Sequence, residues 1–342
     1  MEFFTTKYIN ELIKEEYFSF THKYYTDILG NPNKYISIVE NKIGEYLGGY
    51  VKLLNSGTTA LQFGLLALGV QAGDEVILPA NTYSATAIAI TNIGAIPVFA
   101  DINLDSYTID YRDIENKITN KTKVIIPVHL YGYNCEMENI QSIATKYGIK
   151  ILEDASHAFG GEYNGIKLGT IGDIGAFSCH LSKNFGTFGN GGIFFTKDKI
   201  LFEKIDNYIF PDNQNIEVLN SLRTPANIGV MESLVLLFKL KYIDKIIDSN
   251  LELYKSYIEK YKDSNMIFPK LDLEKNRLHI RNFTVLSEDR EHYISNGLGR
   301  KYYEINLQEH IAFNKYNNKN FLKNTDIFFK TNLSLNFYFG IN

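Results

Sequence analysis

The chain has 342 residues, long enough for one large or two unequal domains, and at 45% hydrophobic and 22% charged it has the make-up of an ordinary globular protein. Lys+Arg 35 against Asp+Glu 39 leaves a net charge of -4, which argues against a general nucleic-acid binder. Two cysteines, Cys135 and Cys179, exclude a disulfide framework and a four-thiolate zinc site.

Along the first twenty residues Lys7, Glu11, Lys14, Glu15 and Glu16 interrupt the apolar ones, so no signal peptide is expected. No apolar run approaches ~18 residues, so no membrane span is expected and the chain reads as soluble and cytoplasmic. From about residue 50, apolar β-branched runs recur at Val76 to Leu78, Ile96 to Ala100, Val124 to Val128, Ile149 to Leu152, Ile174 to Ser178 and Gly192 to Thr196. Helical spacing lies between several of them, at Ala60 to Leu68, Ala85 to Asn92 and Met137 to Tyr147. Strand and helix in alternation predict an α/β fold, a mostly parallel sheet sandwiched by helices. Asn207 to Thr224 carries Pro211, several Asn and no period, and reads as a loop. Ala226 to Lys262 predicts one or two long helices, with Ile228, Met231, Leu234, Val235, Phe238 and Tyr242 on one face. Strands are expected at Leu278 to Leu286 and Thr331 to Phe339, a helix at Arg290 to Gly297, and a surface loop at Asn314 to Asn324. The resulting division is a large α/β domain with an N-terminal segment over 1–225, and a long helix plus a small, short α+β C-terminal domain over 226–342.

Four segments carry chemistry. Asn55-Ser56-Gly57-Thr58-Thr59 opens a helix, where free backbone N–H groups favour a phosphate, although Ser and Thr also suit a plain N-cap. Tyr83 follows the strand at Val76 to Leu78 and is either a platform for a flat ring or a core aromatic. Asp154 ends the strand at Ile149 to Leu152, the edge where ligands of open α/β sheets bind, with His157 three residues on; a capping carboxylate and a hydrogen-bonded core histidine are the plain alternatives. Lys183 follows Ser178 by five residues and precedes Gly189-Asn190-Gly191-Gly192; held in an apolar segment it becomes a Schiff-base nucleophile, and otherwise it is a surface lysine. His129, His157 and His180 lack metal-ligand spacing, so no metal is expected, and no G-x-S-x-G elbow occurs. Phosphate cradle, ring platform, acid and lysine, all at strand ends of one sheet, are the set that pyridoxal 5'-phosphate (PLP) requires.

From Lys42 to Asp198 the chain resembles the DegT/DnrJ/EryC1/StrS sugar aminotransferases, of the PLP-dependent fold type I, through SGTTAL, LGVQAGDEVILPANTYSAT, GAIPVFADI, VIIPVHLYG, EDASHAFG and GDIGAFSCHLSKNFGTFGNGG. The resemblance implies Lys183 as the catalytic Schiff-base lysine and Asp154 as the partner of the pyridine nitrogen. It also implies His157 near the phenolic oxygen, Tyr83 stacked on the ring, and Gly57, Thr58 and Ser178 at the phosphate. A lysine rather than a histidine at 183 favours transamination over dehydration. The family's Asn that reaches the neighbouring subunit's phosphate has its counterpart within Pro225 to Met231, with Asn227 as the candidate. The family further implies a homodimer with shared sites, L-glutamate as amino donor, and a nucleotide-linked keto-deoxyhexose acceptor in surface-glycan amino-sugar synthesis. The chain stops after Asn336 to Gly340, where relatives continue, so a remodelled acceptor site is expected. That leaves two alternatives: a smaller ketone as acceptor (dihydroxyacetone phosphate or a keto-cyclitol), or a non-enzymatic PLP-binding sensor.

Overall fold

The structure, a computed structural model, describes residues 6–205, 208–209, 225–303, 305–316 and 321–336. Two helices, α1 (Thr6–Gly30) and α2 (Pro32–Leu47), lead into strand β1 (Tyr50–Leu54). Helix and strand then alternate through α3 (Gly57–Ala67), β2 (Glu75–Pro79), α4 (Ser84–Asn92), β3 (Ile96–Ala100), α5 (Tyr111–Lys117), β4 (Thr122–Ile125), α6 (Met137–Tyr147) and β5 (Lys150–Asp154). A small hairpin of β6 (Glu162–Tyr163) and β7 (Ile166–Lys167) precedes β8 (Ile174–Ser178), β9 (Gly192–Thr196) and α7 (Lys199–Ile205). The remainder comprises α8 (Val230–Leu240), α9 (Ile243–Tyr261), β10 (Thr284–Leu286), α10 (Arg290–Ser295), β11 (Gly299–Arg300), α11 (Lys323–Thr331) and β12 (Asn332–Leu335).

The central sheet has the order β1-β9-β8-β5-β4-β2-β3. Its neighbours pair in parallel from β8 to β3, while β9 runs antiparallel to both β1 and β8. β9 is reversed because the chain returns directly from β8, whereas a parallel partner would need a longer crossover. Successive residues along a strand face opposite sides, and each side buries its own apolar cluster. Val76, Leu78 and Leu152 belong to the larger cluster. Ile77, Ile125 and Ile151 join Met137, Ile140 and Ile143 of α6 in the other. This is the helix-covered, mostly parallel sheet expected from the alternation, and β10-β12-β11 forms the small C-terminal sheet. Among the described residues no helix is long and apolar enough to cross a membrane.

Several elements differ from expectation. α1, α2 and β1 were not among the expected elements; α1 and α2 pack on α8, with Tyr17 and Phe20 against Phe238 at ring distances of 6.1 and 5.7 Å. The strand expected over Leu278 to Leu286 is laddered only at β10, because residues 279–281 bond to loops of the large sheet instead. Most of the segment read as a surface loop over Asn314 to Asn324 lies in helical turns or outside the described residues, and α11 begins at its end. The loop expected at Asn207 to Thr224 lies outside the described residues apart from Tyr208 and Ile209, as do residues 337–342.

Behind the sheet, Glu153 is fully buried and accepts backbone N–H groups from Gly169, Ile171 and Gly172 at 2.8, 2.7 and 2.6 Å. The same carboxylate meets His129 Nε2 at 2.9 Å. His129 Nδ1 accepts the Cys135 N–H, so Nε2 carries the ring proton and donates it to Glu153. One side chain thus satisfies four donors, two of them fully buried, and pins the 169–172 loop under β5. Glu153→Ala is expected to cost about 3–5 kcal/mol, since it orphans all four at once. Chemical denaturation monitored by circular dichroism checks this; an unchanged midpoint would show that the loop finds other acceptors.

Candidate active site

β1, β8, β5, β4 and β2 point the same way, so the turns after them meet along one edge of the sheet. A cavity of about 650 Å³ opens there, a size suited to a cofactor together with a small substrate. All seven residues singled out from the sequence line it: Gly57, Thr58, Tyr83, Asp154, His157, Ser178 and Lys183. Asn227 does not line it; exposed, it bridges Leu54 at the edge of the sheet.

The anion cradle is the N-terminus of α3. Ser56 is in extended conformation and its hydroxyl accepts the Thr59 N–H at 3.1 Å, so the plain N-cap reading holds for Ser56. Gly57 and Thr58 lie on the cavity wall, at the positive end of the helix dipole. Gly57 has to lack a side chain, since a Cβ there would stand 2.8 Å from the Ser178 Cβ. That close approach brings the Ser178 hydroxyl beside the helix start.

Asp154 is 5% exposed and held on both oxygens: the Thr86 hydroxyl donates to Oδ2 at 2.9 Å and the Ser156 N–H to Oδ1 at 3.1 Å. Among the described residues it has no ion-pair partner within 4 Å, so a buried carboxylate faces the cavity still lacking a cation. His157 accepts the Tyr131 N–H on Nδ1 at 3.1 Å, which leaves the ring proton on Nε2 as a donor. Burial, then the charges of Lys183 and Arg281, holds His157 well below the usual histidine range, so it is neutral. Tyr83, at the start of α4, is 60% exposed and stacks on Tyr303 at a ring distance of 6.2 Å.

Lys183 lies on the turn from β8 to β9. Burial first, and the Arg281 guanidinium second, push its amine down to about 7, against weaker upward pulls from Asp154 and Cys179. A lysine half neutral near pH 7 is both a nucleophile and a base.

Arg281 is the main residue that sequence reasoning missed. It reaches the cavity from the stretch before β10. Its N–H groups donate to the Ser182 carbonyl and, at 3.3 Å, to the Tyr302 hydroxyl, and its backbone N–H to Tyr131 O at 2.7 Å. Among the described residues no carboxylate pairs with it. Nothing local in His279-Ile280-Arg281-Asn282 marks it out. Thr86 and Ser156, by contrast, lie inside segments already quoted, and their hydroxyls beside Asp154 and Tyr83 are the signal that could have found them.

The sequence pattern of the DegT/DnrJ/EryC1/StrS aminotransferase family matches residues 14–342. A GDP-perosamine synthase of Escherichia coli O157:H7 is 40% identical over 199 residues, covering 58% of this chain and 51% of that protein. The chain therefore spans about half the length of the curated relatives it matches. A solved DegT/DnrJ/EryC1/StrS aminotransferase from Brucella abortus superposes with a TM-score of 0.88 at 26% identity, covering 100% of this chain and 95% of that one. NtdA from Bacillus subtilis, with bound cofactor PMP, superposes with a TM-score of 0.83 at 29% identity, covering 99% and 81%.

Proposed function

The chain belongs to the DegT/DnrJ/EryC1/StrS aminotransferase family, and on that footing we propose that it is a PLP-dependent aminotransferase moving an amino group from L-glutamate to a nucleotide-linked keto-deoxyhexose, a step toward a surface-glycan amino sugar. One observation carries the reading: a lysine pushed down to about 7 shares a cavity with an unpaired carboxylate and an open helix N-terminus. These residues fit the cofactor. Gly57, Thr58 and Ser178 would take its phosphate, Asp154 its pyridine nitrogen, His157 its phenolic oxygen and Tyr83 a face of its ring.

When bound, PLP supplies an aldehyde that captures amines and a ring that withdraws electrons from the bond being broken. Asp154, fixed by Thr86 and Ser156, would hold the pyridine nitrogen and keep it protonated. Lys183 Nζ takes the α-proton of the donor and gives it up again, as base and then acid. Arg281 offers its guanidinium to a donor carboxylate.

The functional unit in this reading is a homodimer. Tyr83, Leu181 and Phe188, at 60%, 52% and 47% exposure, give the segments around the cavity an apolar surface suited to a second copy. Asn227, exposed at the sheet edge, is the residue proposed to reach the other subunit's phosphate.

The test is the visible spectrum of the PLP-loaded protein during L-glutamate addition, followed by a panel of keto acceptors. A band that glutamate bleaches is expected, and Arg281→Leu should raise the glutamate needed by about 30-fold. A protein that takes up no PLP ends the enzyme reading. A band that glutamate leaves untouched favours a sensor, and preferred turnover of dihydroxyacetone phosphate replaces the acceptor.

A further inference from the structure

A fully buried lysine lies against the turn that carries Lys183. Lys239, near the end of α8, is 1% exposed, and its Nζ donates to the Gly186 carbonyl at 2.7 Å. Among the described residues it has no carboxylate partner, and the titratable group that acts on it is the buried Cys179 thiol. Burial pushes its ammonium down only to about 8, so it is mostly charged at neutral pH. An unpaired charge in a core is costly, and packing alone would be served as well by methionine.

What the ammonium faces accounts for it. Gly186 closes a turn so tight that a Cβ there would fall 2.4 Å from His180 O and 2.9 Å from Lys183 O. Inside the turn Lys183 N–H donates to His180 O at 2.8 Å, and the Thr187 N–H and hydroxyl donate to Cys179 O at 2.9 and 3.1 Å. Those carbonyls are met from within the turn, whereas the Gly186 carbonyl is met by Lys239, and a charged donor makes a stronger bond than a neutral one. The residues flanking Lys183 are tied separately to the 280–281 strap. Arg281 donates to Ser182 O, and Asn184 Nδ2 to Ile280 O at 3.3 Å. The turn is thus held at separate points, by the 280–281 strap at Ser182 and Asn184 and by Lys239 at Gly186.

We infer that Lys239 is a positioning residue: by holding the Gly186 carbonyl it sets where Lys183 stands in the cavity. The inference rests on the proposed role of Lys183, but part of its test does not. In Lys239→Met, which keeps most of the unbranched apolar stem and removes the charged donor, amide hydrogen exchange across 179–187 should speed up about tenfold while the global denaturation midpoint holds. In the PLP-loaded protein kcat should fall about tenfold with the KM for glutamate unchanged, and the pH midpoint of the visible band should move. Lys239→Gln, which retains an N–H donor, should recover part of each effect. Wild-type exchange, band titration and kcat in a folded Lys239→Met protein would overturn the inference. If both variants failed to fold, Lys239 would be a core-stability residue, which also overturns it. If the wild type took up no PLP, the functional reading would fail while the exchange comparison still decided the grip.

Discussion

Lys183→Ala is expected to abolish transamination, with kcat falling by at least about 10,000-fold, because in the proposed reaction one amine serves as both cofactor anchor and proton carrier. Water cannot replace a base held at the reacting carbon. The pH behaviour of the wild type follows from the same group. Its amine sits at about 7 rather than 10.5, so its neutral, reactive fraction rises as pH increases through 7. Between about 7 and 10.5 the unfolded chain binds a proton at this lysine that the folded chain does not, so the group makes stability rise with pH over that window. Below it the buried charge is a standing cost. The cofactor-free Lys183→Ala protein should therefore unfold at a higher denaturant concentration than wild type at pH 6, with the gap closing toward pH 10. Turnover assays and denaturation at several pH values measure both effects. Full turnover by the alanine variant would remove Lys183 from the chemistry.

Asp154→Asn should cost about 1,000-fold in kcat while the protein folds normally. Asparagine still accepts a hydrogen bond on its carbonyl oxygen, so the contacts to Ser156 and Thr86 survive in part. What it lacks is the charge proposed to keep a proton on the cofactor's ring nitrogen. The loss has a second signature, because Asp154 is one of the groups pulling the Lys183 amine upward. Without it Lys183 should titrate below 7, and the visible band should shift its pH midpoint in the same direction. An asparagine variant with wild-type kcat and an unmoved midpoint would show that the carboxylate is structural.

The edge of the sheet was readable because its chemistry stays close to the strands. Gly57, Tyr83 and Asp154 each lie at or within a few residues of a strand's end, and Lys183 follows Ser178 by five. Arg281 was not readable, since it enters from some hundred residues further along and is placed by Tyr131 O and Ser182 O, partners no local pattern announces. Helix α11 was hidden for a related reason. It begins at the end of an Asn- and Lys-rich stretch, and the cap that starts it is borrowed: Asp101 accepts the N–H groups of Asn324 and Thr325 at 3.0 and 2.7 Å. A helix whose capping carboxylate lies 223 residues away has no N-terminal signal of its own.

β5 ends on two adjacent carboxylates with opposite duties. Asp154 faces the cavity, while Glu153 points through to the other side and staples the loop beneath. The strand thus has a reading frame. Because the side-chain period is two, gaining or losing one residue within Lys150–Asp154 would exchange the two carboxylates across the sheet. The longer glutamate would then project at the catalytic edge and the shorter aspartate would fall short of the 169–172 amides. A substitution at Glu153 strikes the scaffold and one at Asp154 the chemistry; a change of length would damage both together.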